Sequence, residues 1–168
     1  MFIAVWILIS FILLGGAWFD LMSHRIPNAW ILLGASVGLY LYMDSAAGFL
    51  IRLCAVTALF FPLYCCRMIG AGDIKLMALV CGYCGFRSGG SIIGAAFLAG
   101  AVWSFIKLLR SGSLKARLFY FAGYIRRMIR TKEAGIYYSP QRDGYAVTIP
   151  FAVCLCLGEL FNLIIKIA

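Results

Sequence analysis

The sequence predicts an all-α polytopic membrane protein, one domain over residues 1–168, with about six transmembrane helices and one amphipathic helix on the cytoplasmic surface. Three observations lead there. Of the 168 residues, 64% are apolar and 12% charged, against about 25% charged in a soluble domain. The apolar residues gather into runs of helical length, and about 20 such residues, rising about 1.5 Å each, cross the roughly 30 Å hydrocarbon core. The basic residues are unevenly shared between the connections.

Phe2 to Phe19 is a plain first span. It has no basic n-region and ends in FDLMSHR instead of a small-residue cleavage site, so it is expected to be retained. The second, Trp30 to Met43, reaches full length only if it starts at Ile26. Ala46 to Cys66 carries Arg52 near one end. The apolar run from Leu76 to Phe86 is too short to cross alone, so the fourth span is expected to begin near Met68 and to include Asp73 and Lys75. Ile92 to Ile106 is the fifth, and Tyr145 to Ile165, with Glu159 inside it, the last.

Lysine and arginine concentrate in cytoplasmic segments. With the N-terminus outside, Arg25, Arg67, Lys75 and nine more between Lys107 and Arg142 fall inside, twelve of the fifteen basic residues. Asp20 and Asp73 then lie at the same face. The net charge of +9 does not point to nucleic acid. Leu114, Leu118, Phe121, Ile125 and Ile129 recur at helical spacing opposite Lys115, Arg126, Arg127 and Arg130, as in a helix lying on anionic membrane lipid. Ser111 to Ser113 reads as a hinge before it, and residues 131–144 as a polar loop.

Several motifs carry no chemistry. Cys81 and Cys84 form a single CxxC where a structural zinc site needs four ligands, and the other cysteines lie in apolar runs, where cysteine packs as a small apolar residue. No metal or other cofactor is expected. GASVG at 34–38 matches GxSxG, but Ser36 sits mid-span without a strand-to-helix turn, and His24, the only histidine, is a loop residue at headgroup level.

The carboxylates remain. An ionisable residue in a span is expensive and usually faces a partner or a water-filled cavity. Asp44, Glu133 and Asp143 fall in loops, and Glu159 stands alone toward the far face. Asp73 sits in GAGDIK, where Gly70 and Gly72 permit a bend and the close approach of another chain and Lys75 can snorkel to the interface. Two nearby carboxylates do not readily ionise together, so one can hold a proton while the other deprotonates water, as peptide hydrolysis requires. The bland alternative is that Asp73 pairs with Lys75 or caps its helix.

GAGDIKLMA at 70–78, FDLMSHRIPNAW at 19–30 and, more weakly, TIPFAVCLCLGEL at 148–160 resemble, in order, the second aspartate motif, the first aspartate motif and the Pro-containing motif of the type IV prepilin peptidases, which are GxGD membrane aspartic peptidases. The resemblance implies that Asp20 and Asp73 activate water to remove the basic leader of a prepilin or pseudopilin precursor at the cytoplasmic membrane face. Gly70, Gly72 and Lys75 carry over as motif positions and Pro150 as an active-site neighbour, whereas Ile26, Pro27 and Asn28 set the start of the second helix. Larger members carry a cytoplasmic domain with paired CxxC motifs and an N-methyltransferase activity. The Asp20–Ala29 connection has no room for it, so the chain is similar to the small, peptidase-only branch. From another class, a proton- or cation-coupled transport subunit would also place carboxylates in spans, although neither midplane sites nor repeated halves are evident.

Overall fold

A computed structural model describes residues 2–110 and 149–167, together with the helical residues 119, 122, 123, 126 and 130. The expected 111–113 hinge, 131–144 loop and most of the basic amphipathic helix lie outside them. The described residues form five helices and no strand: α1 (Phe2–Ser23), α2 (Asn28–Leu41), α3 (Ala46–Cys65), α4 (Ala71–Arg110) and α5 (Phe151–Ile167), with a short 3₁₀ turn, Met43–Ser45, before α3. Among the described residues three stretches are long and apolar enough, by length and composition, to cross a membrane: Val5–Ser23, Met43–Cys65 and Ala71–Lys107, the last interrupted at Gly85.

Each boundary has a local cause. α1 runs past Phe19 to Ser23 and stops at His24, whose left-handed φ of 51° ends the helix while its N–H still reaches the Asp20 carbonyl at 3.0 Å. Histidine is among the side chains that tolerate this region best. Pro27, in extended conformation (φ −60°, ψ 136°), precedes α2, and its carbonyl accepts the Trp30 N–H at 3.1 Å. The Ile26-Pro27-Asn28 segment thus opens the second helix, as its sequence suggests.

The fourth and fifth expected spans are one helical stretch broken at a single residue. Gly85 adopts φ 77°, ψ 168°, a conformation open to glycine and closed to side chains. The chain doubles back there. A Cβ on Gly89 would lie 2.7 Å from the Cα of Cys81, whereas eight residues of straight helix separate such atoms by about 12 Å. Residues 71–84 and 86–110 are therefore two antiparallel arms. The expected start near Met68 moves to Ala71, because Arg67 takes a left-handed φ of 54° and the chain does not resume the helix until Ala71.

The first arm of α4 is the centre of the protein. Leu76, Met77, Ala78, Leu79, Val80, Cys81 and Tyr83 are all buried, so this arm is apolar all round instead of amphipathic. Ile9, Ile12 and Leu13 of α1, Phe49 of α3, Ile92 of the second arm and Leu155 of α5 are among the fully buried residues packed around it. α2 packs through Gly34 and Gly38 against Ile12, Leu79, Phe49 and Tyr83, and Ser36 points outward with its hydroxyl donated to the Leu32 carbonyl. The GxSxG letters thus serve helix packing. α3 buries only Phe49 and Val56.

Two contacts fix the direction of α5. The Ala152 N–H reaches Asp20 near the end of α1, and Glu159 meets Ser10 ten residues earlier on α1. α1 and α5 are antiparallel. Gly158 lies against Ile92 and Ala96 while the Phe151 ring packs tilted against Phe97, centroids 5.0 Å apart, so α5 is antiparallel to the second arm of α4 as well. The end of α1, the start of α4 and the start of α5 meet at one end of the bundle.

Candidate active site

Asp20 and Asp73 share that end. They line one cavity of about 290 Å³ with His24, Arg25, Ile26, Asn28, Gly70, Ala71, Gly72 and Lys75. Both are half-buried, and their carboxyl groups are close enough for their charges to interact. His24 is near enough to Asp20 to do the same.

Asp20 is held by a helix other than its own. Its Oδ2 accepts the Ala152 N–H at 3.3 Å. Ala152 is the second residue of α5, where backbone N–H groups lack intrahelical partners and the helix dipole favours an anion. Pro150, just before the helix, has no polar side chain to cap it, so Asp20 supplies the acceptor from α1. Pro150 itself does not line the cavity. Its carbonyl accepts the Val153 N–H at 3.1 Å, and it acts on the site only through the start of α5.

Asp73 is held locally. It lies in the first turn of α4 and accepts the backbone N–H of Gly70, the reciprocal half of a capping box. Lys75 does not take Asp73 as its partner. Its Nζ donates to Asn28 Oδ1 at 2.7 Å, tying the fifth residue of α4 to the first residue of α2. Of the two bland alternatives for Asp73, the helix cap is present and the Lys75 pair is replaced by Lys75–Asn28.

The close approach at Gly72 is made by this chain's own loop and not by another chain. A Cβ there would stand 3.1 Å from the Cβ of Ile26, so the missing side chain lets residues 24–28 close over the start of α4. His24, Arg25 and Ala71 were not legible in the sequence as cavity residues. Nor was the Ala152 N–H, although a proline at a helix start with no side-chain cap is a signal that an acceptor comes from elsewhere. Among the described residues no cluster of three or more His, Cys, Asp or Glu could hold a metal.

This set provides two carboxyl groups whose charges interact, both steadied by backbone donors, in a cavity bordered by the cations Arg25 and Lys75. No protein-family model matches the chain, and no curated protein or solved structure does either.

Proposed function

We propose that this protein is a membrane-embedded aspartic endopeptidase that removes the basic leader from type IV prepilin or pseudopilin precursors, acting at the cytoplasmic face of the cell's inner membrane. One observation carries the reading: Asp20 and Asp73, far apart in sequence and on different helices, face one cavity. In the reaction one carboxylate takes a proton from water as the hydroxide oxygen attacks the scissile carbonyl carbon. The other, protonated, gives its proton to the carbonyl oxygen. The tetrahedral gem-diol then collapses as the C–N bond breaks: the carboxyl that took the water proton gives it to the leaving nitrogen, and the other carboxylate recovers a proton from a gem-diol hydroxyl, yielding a new carboxyl terminus on the leader and a free amine on the pilin. Cleavage of a purified precursor by the purified protein, with the new termini identified by mass spectrometry, tests it directly. Intact precursor under conditions where the protein is folded would end the proposal.

The topology that goes with this reading has six crossings and both termini outside. The alternating direction of neighbouring helices supports it, with the two arms of α4 counted separately. Reporter fusions at the N-terminus and within residues 131–144 should report outside and inside respectively. A cytoplasmic N-terminus would move the aspartates to the wrong face.

Gly72 gives a test of the loop. Gly72→Ala makes Ile26 give by a few tenths of an ångström, well short of the misplacement of catalytic groups by about 1 Å that costs on the order of 100-fold, so a loss of roughly a few-fold is expected. Ile26→Ala should restore part of the cleavage in the double variant. Full activity in Gly72→Ala would show that the loop does not set the site.

A further inference from the structure

Glu159 lies outside the aspartate cavity and is not used by the mechanism. It is only 4% exposed, seven residues along α5 from Ala152, or about 10 Å. It does not stand alone, as its sequence position suggests. Its Oε1 is 2.7 Å from Ser10 Oγ on α1, and the same Ser10 Oγ is 2.8 Å from the Trp6 carbonyl oxygen.

Three oxygens in a row joined by two linear hydrogen bonds need two protons between them, and a single proton shared between two acceptors bonds each of them less well. A serine hydroxyl has one. If Ser10 donates to the Trp6 carbonyl, the contact to Glu159 is a hydrogen bond only when Glu159 supplies the second proton. If Ser10 donates to Glu159, the Trp6 contact is weakened, and a buried carboxylate is left with one neutral donor, an arrangement that burial disfavours. We propose that Glu159 is a proton-binding site: it holds its proton as the neutral acid, donates it to Ser10 Oγ, and through the Ser10–Trp6 bond fastens α1 to α5.

The surrounding groups fit a neutral acid. On α4, Cys84 is near enough to feel Glu159, as is Cys156 on α5 itself. α1 contributes Ser10 and Trp6. Lys166, two turns further along α5, donates to Ser88 Oγ at 2.9 Å and sits 4.7 Å over the Trp6 ring. Asn162, between them on the same face, donates to Ser91 Oγ at 2.8 Å. α5 thus presents a polar seam in which serines of α1 and α4 are the partners. The seam and the Asp20–Ala152 bond hold the α1–α5 pair at two places, so the proton on Glu159 helps set the register that brings Asp20 to the start of α5.

Glutamate occurs only at positions 133 and 159, so carboxyl-¹³C glutamate labelling separates these two groups from every aspartate by infrared spectroscopy. In folded protein at pH 7, an isotope-shifted carbonyl band of a neutral acid is expected. It should persist in Glu133→Gln and vanish in Glu159→Gln. Glu159→Gln should keep the thermal midpoint, because its amide can still donate to Ser10, whereas Glu159→Ala should lower it. If Glu159→Gln does not fold, the labelled Glu133→Gln spectrum decides alone. A glutamate signal that is entirely carboxylate in that protein overturns the proposal and points to an ion pair with Lys166 instead.

Discussion

Asp20→Asn and Asp73→Asn are each expected to reduce precursor cleavage by at least about 100-fold, the lower end of what a general acid or base contributes, with membrane insertion intact. The substitution is informative because both carboxylates also act as helix caps, Asp20 for α5 through Ala152 and Asp73 for α4 through Gly70. Asparagine caps about as well as aspartate, and its carbonyl oxygen can accept the same N–H. It cannot pass a proton. A purely structural role therefore predicts active, stable Asn variants, and a catalytic role predicts stable, inactive ones. The double variant should be no worse than either single one, since residues that act as a unit are strongly non-additive. Substantial cleavage by purified Asp73→Asn protein would refute the aspartic mechanism.

Gly158→Ala should be among the most destabilising single changes in the bundle. A Cβ there would press on the Ile92 carbonyl and lie 3.0 Å from the Ala96 nitrogen. Both neighbours are helix backbone, which cannot yield as a side-chain tip can. Overpacking of this kind costs about 1–3 kcal/mol. Because Gly158 seats α5 on the second arm of α4, the displacement also bears on Ala152 and hence on Asp20, so cleavage should fall with the thermal midpoint. Gly94→Ala, on the same arm with nothing within 4 Å of its Cβ, is the control. It should be neutral or slightly stabilising, as alanine is a better helix former by about 1 kcal/mol. A Gly158→Ala protein as stable as Gly94→Ala would mean that α5 does not pack this closely on α4.

The sequence by itself determined the helical class, the apolar runs and the choice of Asp20 and Asp73 as carboxylates needing an explanation. These are legible because hydropathy is additive along the chain, and because a charge in an apolar run is costly whatever surrounds it. It also marked the start of α2, since proline fixes its own φ and restricts its neighbour. Other features depend on atoms distant in the chain. Gly85 reads as one glycine among eighteen, and only its φ shows that α4 turns back there. Lys75 is two residues from Asp73 in sequence, but on a helix that spacing turns the two apart, and it takes Asn28 because α2 begins beside it. Glu159 looked isolated because Ser10, its partner, is near the other end of the chain. That Asp20 caps α5 while Asp73 caps its own helix, with both opening into one cavity, was decided by the antiparallel docking of α1, α4 and α5. Hydrogen bonds and close approaches across helices depend on relative position and rotation, which periodicity within a single helix does not encode.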